Sequence, residues 1–284
     1  PIQMLFVTTS HSTDLNATES PMTHPRVLIA AGENSQIRLV ETYVGEIDTP
    51  YLTNVVTEVI GGENSAVDHY KLVREASAAY HIGHMHLRLN RSANFSSHAI
   101  TLGGNIVRND TVAVLDGEGV NCTLNGLYIA KGQRLVDNHT TIHHAKPHCE
   151  SHELYKGILD DQAHAVFNGK IVVEIDAQKT DAKQTNKALL LSEDAQINTK
   201  PELEIFADDV KCTHGATVGQ LDADAMFYLR ARGLGLEQAR RVLIHAFASD
   251  LLSRIGIQSI RTDLDELLLV QLSGSGEGGS YELG

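Results

Sequence analysis

Residues 1–221 alternate between short apolar runs and polar corners. The runs are rich in Val, Ile, Leu and Thr and are bounded by Gly, Asn or Asp; examples are RVLIAAG, TVAVLDG, KIVVEIDA and PELEIFADD. Short β-branched runs between turn residues are typical of strands, and no helical pattern longer than about two turns interrupts them. The pattern therefore predicts a strand-dominated region over residues 1–221.

The corners between the runs favour one β-architecture over another. Few pairs of runs are joined by the two-residue Asn-Gly turn of a hairpin, which an antiparallel β-sandwich would use. The segment GENSQI from Gly32 also recurs loosely as GENSAV from Gly62. We therefore predict a β-solenoid whose strands stack turn upon turn, with roughly 20 residues or more per turn.

The pattern becomes helical from residue 222. Asp222 is placed to cap a helix through ADAMFYLRAR, which Gly233 ends. A second helix is predicted from Leu236 to Ile255, and Thr262 opens a third in DLDELLLVQL. The sequence thus predicts a C-terminal helical domain over residues 222–272.

The second predicted helix carries an apolar stripe that includes Leu243, Phe247 and Leu251. Such a stripe either covers the end of the solenoid or contacts a partner protein, and the pattern leaves both open. Residues 273–284, SGSGEGGSYELG, are rich in Gly and Ser and are typical of a flexible tail or an added segment.

Composition limits the classes of partner and the compartment. The chain has 284 residues, a formal net charge of −13 and no run of basic residues, which argues against nucleic-acid binding. It has no 18-residue apolar stretch and no recognisable leader, so we expect neither a membrane span nor secretion. Its three cysteines, Cys122, Cys149 and Cys212, are widely spaced. An odd, unpatterned set argues against a disulfide framework and predicts a reducing compartment, the cytoplasm or an organelle stroma.

The segment ADDVKCTHGATVG, from Ala207 to Gly219, contains the most distinctive chemistry. In an extended strand, residues two apart share a face, so Cys212 and His214 would project to the same side. A thiolate and an imidazole suit iron–sulfur or zinc chemistry, but two ligands are too few for a closed site. The alternative is that Cys212 is a small core residue. A site completed by a second chain would remove the shortage of ligands.

Other candidate sites are weaker. The histidine-rich segments HTTIHHAKPHCESH and HIGHMH match no closed zinc spacing, so we expect exposed or structurally bonded histidines. The sequence contains no phosphate-binding loop, no G-x-S-x-G and no H-E-x-x-H. Asp208 and Asp209 are adjacent, and adjacent side chains of the expected strand point oppositely, so they cannot flank one glycosidic bond.

A long signature resembles a known family. The segment from Lys200 to Gly233, KPELEIFADDVKCTHGATVGQLDADAMFYLRARG, with the following ARRVLIHAF, is similar to the SufD-type members of the SufB/SufD family. This family belongs to the SUF iron–sulfur cluster assembly machinery. The stretch from Cys149 to Leu191 continues the match, which weakens towards residue 1 and towards residue 255.

The resemblance implies a right-handed parallel β-helix followed by a helical domain. It also implies a non-catalytic scaffold that pairs with the paralogue SufB and with the ABC-type ATPase SufC to build nascent clusters and pass them to apoproteins. In the family, the histidine of the Cys-x-His segment is the ligand on the SufD side of the SufB–SufD interface, and His214 matches that position, with Cys212 beside it. An iron–sulfur cluster would then be shared with SufB, and none is expected in the isolated chain.

Two departures from the family qualify these expectations. SufB-type sequences carry a cysteine in the turn where this chain has Lys187 and Ala188, so we expect no cluster assembly by this chain alone. Full-length members also carry a helical N-terminal domain that this sequence lacks, so we expect a truncated or processed form.

Two partner surfaces are predicted. Strand edges pair readily with other chains, so we expect Val210, Thr213 and Thr217 to lie at the SufB contact or, without SufB, at a homodimer contact. We expect the helical hairpin, through its apolar stripe, to bind the ATPase. The alternatives are a structural, self-associating solenoid and a polysaccharide-acting β-helix enzyme.

Overall fold

The computed structural model describes residues 1–9, 20–47 and 49–271 of the chain. These residues form two compact units, one from Pro1 to Gly219 and one that begins at Gln220. The tail predicted over residues 273–284 lies outside the described residues.

The first unit is built from strands. They are β1 (Ile2–Thr8), β2 (Met22–Thr23), β3 (Arg26–Ala31), β4 (Gln36–Gly45), β5 (Leu52–Gly61), β6 (Ala66–Arg74), β7 (Tyr80–Leu89), β8 (Asn94–Thr101), β9 (Ile106–Leu115), β10 (Asn121–Ala130), β11 (Leu135–His144), β12 (Glu150–Leu159), β13 (His164–Val173), β14 (Asp181–Leu190), β15 (Gln196–Ile205) and β16 (Lys211–Gly219).

The strands form two parallel sheets. The first sheet has the order β1-β4-β6-β8-β10-β12-β14-β16 and the second β15-β13-β11-β9-β7-β5-β2, with β3 also paired to β5. One strand from each sheet makes a turn, which gives about seven turns and confirms the predicted parallel β-solenoid. Ile106 pairs with Leu135, 29 residues later, so the turns are longer than the rough lower bound of 20 taken from the sequence.

The GENS repeat forms one corner of successive turns. Asn34 and Asn64 both have positive φ, 57° and 54°, a conformation that asparagine tolerates better than most residues. The Asn64 side-chain amide donates to Asn34 Oδ1 at 2.7 Å, which links one turn to the next. Asp208 and Asp209 lie in the last corner of this series, between β15 and β16. The prediction that they belong to a strand was therefore wrong, because the chain bends there and the Asp209 carbonyl accepts from Lys179 N at 2.7 Å.

The solenoid interior is apolar for most of its length but also contains charged groups. Glu41 Oε2 accepts from Tyr43 Oη at 2.8 Å, and Glu41 Oε1 lies 3.4 Å from His69 Nε2. Lys71 Nζ donates to Asn109 Oδ1 at 2.8 Å. Burial alone would raise the pKa of Glu41. The hydrogen bond and charge of His69 and the charge of Lys71 outweigh this effect and lower the pKa to about 2. Burial lowers the pKa of Lys71 to about 8.

The second unit contains three helices, α1 (Ala223–Ala231), α2 (Leu236–Leu252) and α3 (Gln258–Gln271). The predicted cap is confirmed, because Asp222 Oδ1 accepts from Ala225 N at 2.8 Å. The predicted start of the third helix at Thr262 was wrong: the helix begins four residues earlier, and its first turn includes the buried Ile260. None of the helices within the described residues is long and apolar enough to cross a bilayer.

Two glycines leave room for tyrosine rings inside the solenoid. Gly126 is in register with Tyr155, and Gly157 with Tyr128, on the neighbouring strands β10 and β12. A Cβ atom on Gly157 would lie 2.3 Å from Cε2 of Tyr128, far inside normal contact. A side chain at this position would therefore displace a buried ring.

We expect Gly157→Ala to lower the free energy of unfolding by about 1–3 kcal/mol through overpacking. Gly215→Ala is the matched control, because a Cβ atom there meets nothing within 4 Å, and it should leave the stability nearly unchanged. Urea denaturation of both variants measures the difference; equal stabilities would contradict the assigned packing.

His144 is buried, and no counter-charge lies beside it in the part of the chain that the structure describes. Its Nε2 lies 2.8 Å from Ser151 Oγ, and burial, with a smaller contribution from His143, lowers its pKa from 6.5 to about 4. The unfolded chain therefore takes up a proton near pH 6.5, whereas the folded chain resists protonation until about pH 4. The stability contributed by the neutral ring is present above pH 6.5 and is lost as the pH falls towards 4.

We expect His144→Gln to reduce the loss of stability between pH 6.5 and pH 4 by on the order of 3 kcal/mol. Denaturation curves measured across this range test the slope, and the same replacement at the exposed His84 is the control. A variant with the pH slope of the wild type would show that His144 does not resist protonation in the folded chain.

Candidate functional site

The Cys-x-His segment lies on the last strand of a sheet. β16 pairs with β14 and is the terminal strand of its sheet, so its other edge is unpaired within the described residues. Cys212 is in register with Ala182 and His214 with Gln184, both buried residues of β14. Because alternate residues share a face, the structure places Cys212 and His214 on the face that continues the solenoid interior.

Cys212 is partly buried. It packs with Leu203 and Val210 against a small cluster of buried apolar residues. Burial, and then the charge of Asp181, raises the pKa of its thiol. The free thiolate is thus disfavoured in the isolated chain, and the side chain has the surroundings of a core residue.

His214 differs from Cys212 because its side chain is exposed. It has no hydrogen bond or ion pair among the residues that the structure describes. Within the same residues, no three His, Cys, Asp or Glu side chains come close enough to hold a metal ion. The segment can therefore offer an accessible imidazole, but a complete metal site needs ligands from outside the described residues.

The terminal turn around β16 also exposes apolar side chains. Phe206 is 60% exposed and Val218 45%; they lie at the ends of β15 and β16, the terminal strands of the two sheets. Of the residues predicted at a partner contact, Thr213 and Thr217 are exposed on β16, and Val210 is partly buried just before it. Unpaired backbone and exposed apolar groups together are features of a pairing edge.

The apolar stripe of the second helix is not a uniformly exposed surface. Leu243 and Phe247 are partly buried, whereas Leu251 is fully buried and cannot act as an exposed anchor. The hairpin predicted to bind the ATPase also includes α1, but the apolar stripe of the second helix does not indicate the exposed aromatics there: α1 has no buried residue and leaves Phe227 74% exposed and Tyr228 56% exposed. The adjacent Phe and Tyr in ADAMFYLRAR are the sequence feature that could have indicated this exposed surface.

Several of the other histidines are bonded structurally and others, such as His84, are exposed, as expected. His81 Nδ1 lies 3.1 Å from Glu75 Oε1, and His143 Nε2 lies 2.6 Å from Glu174 Oε1. His139 Nε2 lies 2.8 Å from Asp137 Oδ1. All three cysteines are free thiols, as predicted.

The chain matches a family model and several related proteins. The model describes the SUF system FeS cluster assembly SufBD core domain and covers residues 13–247. An iron–sulfur cluster assembly SufBD family protein of Synechocystis is 38% identical over 270 residues, 92% of this chain and 58% of that protein. The iron–sulfur cluster assembly protein SufD of Escherichia coli is 38% identical over 228 residues, 80% of this chain and 54% of its own length.

A plant relative extends the comparison. The chloroplastic protein ABCI7 of Arabidopsis thaliana is 34% identical over 250 residues, 87% of this chain and 53% of that protein. The chain thus spans a little over half the length of these relatives. Since the family model alone covers most of its residues, the chain belongs to the SufBD family of SUF-system iron–sulfur cluster assembly proteins.

Proposed function

We propose that this chain is the non-catalytic, SufD-type scaffold part of a complex that assembles nascent iron–sulfur clusters and passes them to apoproteins. The observation that carries the proposal is the unpaired edge of β16, which displays an exposed His214 beside Cys212. The similarity to SufD of Escherichia coli supports the SufD-type assignment.

The cluster is the cargo of this complex, and the donor set on β16 fits part of its coordination. An imidazole nitrogen and a thiolate sulfur are both ligands that iron–sulfur clusters accept. His214 is accessible without unfolding, whereas Cys212 must lose a proton that its surroundings retain. His214 is therefore the principal ligand from this chain, Cys212 has the smaller role, and a SufB-type paralogue supplies the remaining ligands.

The SufB-type paralogue binds along the terminal turn. Its backbone continues the sheet from the unpaired edge of β16, and its apolar side chains cover Phe206 and Val218. The same edge allows a homodimer when the paralogue is absent, which is also the contact that a purely structural, self-associating solenoid would use. Loss of cluster content on changing His214 distinguishes the scaffold from that alternative.

The ATPase activity resides in a SufC-type partner that binds the helical unit, and the sequence of this chain contains no phosphate-binding loop. Phe227 supports this contact, because a large exposed aromatic is a common anchor in protein interfaces. The kinship with a bacterial SufD and with a chloroplastic plant protein supports a cytoplasmic or plastid-stromal location.

We expect His214→Ala to leave folding and complex assembly nearly intact, because an exposed side chain without partners among the described residues contributes within about 0.5 kcal/mol. The cluster content of the reconstituted three-subunit complex should fall sharply when normalised to the complex recovered. His86→Ala, the same change at an exposed histidine of β7 to which no partner contact is assigned, is the control. A cluster content equal to that of the wild type would exclude His214 as a ligand.

We expect Phe227→Glu to weaken binding of the SufC-type ATPase without lowering the melting temperature, because Phe227 is 74% exposed. Ile175→Glu, at a residue that is 66% exposed in the solenoid, is the matched control and should leave ATPase binding unchanged. Pull-down and thermal denaturation of each variant give the two readouts. If Phe227→Glu binds the ATPase like the wild type, α1 is not the docking surface.

A further inference from the structure

Gln184 lies next to His214 on the neighbouring strand, one position further into the sheet. The two residues are register partners in the parallel strands β14 and β16, so their side chains share one face about 4.8 Å apart along the sheet. His214 lies on the exposed terminal strand, whereas Gln184 is buried, with 2% of its surface exposed. Gln184 is therefore the buried polar side chain placed next to the exposed imidazole.

The Gln184 amide is held from one side. Its Nε2 donates to Oε2 of the buried Glu153 at 2.7 Å. Gly169 leaves space for the Gln184 side chain, because a Cβ atom at position 169 would lie 2.2 Å from Gln184 Nε2. An ionised carboxylate accepts hydrogen bonds but donates none, so Glu153 selects the NH₂ group and leaves the amide carbonyl for another donor.

No donor among the described residues reaches the carbonyl oxygen of this amide. Gln184 Oε1 is buried and has no hydrogen-bond partner among the described residues. An unpartnered buried acceptor costs about 1–3 kcal/mol, so a nearby donor would bind it favourably. His214 also has no partner in that part of the chain, and an exposed ring changes rotamer within picoseconds to nanoseconds.

We propose that Gln184 is the positioning residue for His214: its Oε1 accepts the N–H of the imidazole and directs the other ring nitrogen outward as a ligand. Metal-binding histidines almost always donate their second ring nitrogen in this way, which fixes the tautomer and the ring orientation. The inference rests on the proposed ligand role of His214, and Glu153 acts one step further back by holding the amide.

The direct test is the tautomer of His214 in the full chain, read from its ring ¹⁵N chemical shifts at pH 8. Burial raises the pKa of Glu153 to about 7, so at pH 8 its carboxylate is ionised and can only accept. The wild type should show the proton on a single ring nitrogen. Gln184→Met, similar in shape but without an amide, should lose this pattern and show both tautomers.

Asn186→Leu is the matched control. Asn186 is also a buried amide of β14, with Nδ2 donating to Thr199 Oγ1 at 3.0 Å and Oδ1 unpartnered among the described residues, but its register partner is Ala216. This variant should retain the single tautomer of His214. Loss of the pattern in both variants would indicate general loosening of the edge and would overturn the proposal.

The wild-type spectrum tests the proposal even if Gln184→Met does not fold. A His214 ring whose proton is shared between both nitrogens in the wild type would overturn the proposal. In the reconstituted complex, Gln184→Met should weaken cluster retention by roughly 10-fold to 100-fold, the usual effect of removing a partner of a metal-ligating histidine. If His214→Ala retains clusters, the proposed ligand role fails, while the ¹⁵N spectra still report separately on the bond between Gln184 and His214.

Discussion

The parallel register between successive turns is the constraint on which the structure depends. Each inward side chain lies directly against its counterpart one turn away, so the volume and polarity of every position are set by two neighbours. The alternation of Gly126 with Tyr155 and of Tyr128 with Gly157 shows this fit, since each ring occupies the space that a glycine leaves. A change in one turn is therefore transmitted to the next through direct packing.

The same register allows polar groups to be buried. Taking a charge out of water costs several kcal/mol unless it is paired and hydrogen-bonded. Glu41 is paired with His69, and Lys71 reaches Asn109 through the space beside Gly83, where a Cβ atom would lie 2.3 Å from Nζ. Partners are available because equivalent positions of neighbouring turns meet inside the solenoid.

Much of the fold could be predicted from the sequence because it is encoded locally. The Asn-containing GENS corners, the absence of hairpin turns and the Asp222 cap each depend on a few adjacent residues. The burial of Leu251 and the exposure of Phe227 depend on packing between segments, which a helical stripe alone does not specify. Gln184 lies next to His214 only because two strands 30 residues apart in the sequence pair in register. Local spacing therefore revealed the Cys-x-His pair but not the buried amide.

The unpaired edge of β16 has a consequence for symmetry. Two copies that meet β16 to β16 about a two-fold axis pair their strands antiparallel and consume both edges, so the assembly closes at two chains. Among the described residues β1 is the other terminal strand of this sheet, and a contact from β16 of one copy to β1 of the next is parallel and does not close. Pairing of another chain with β16 therefore removes the edge through which copies could stack end to end.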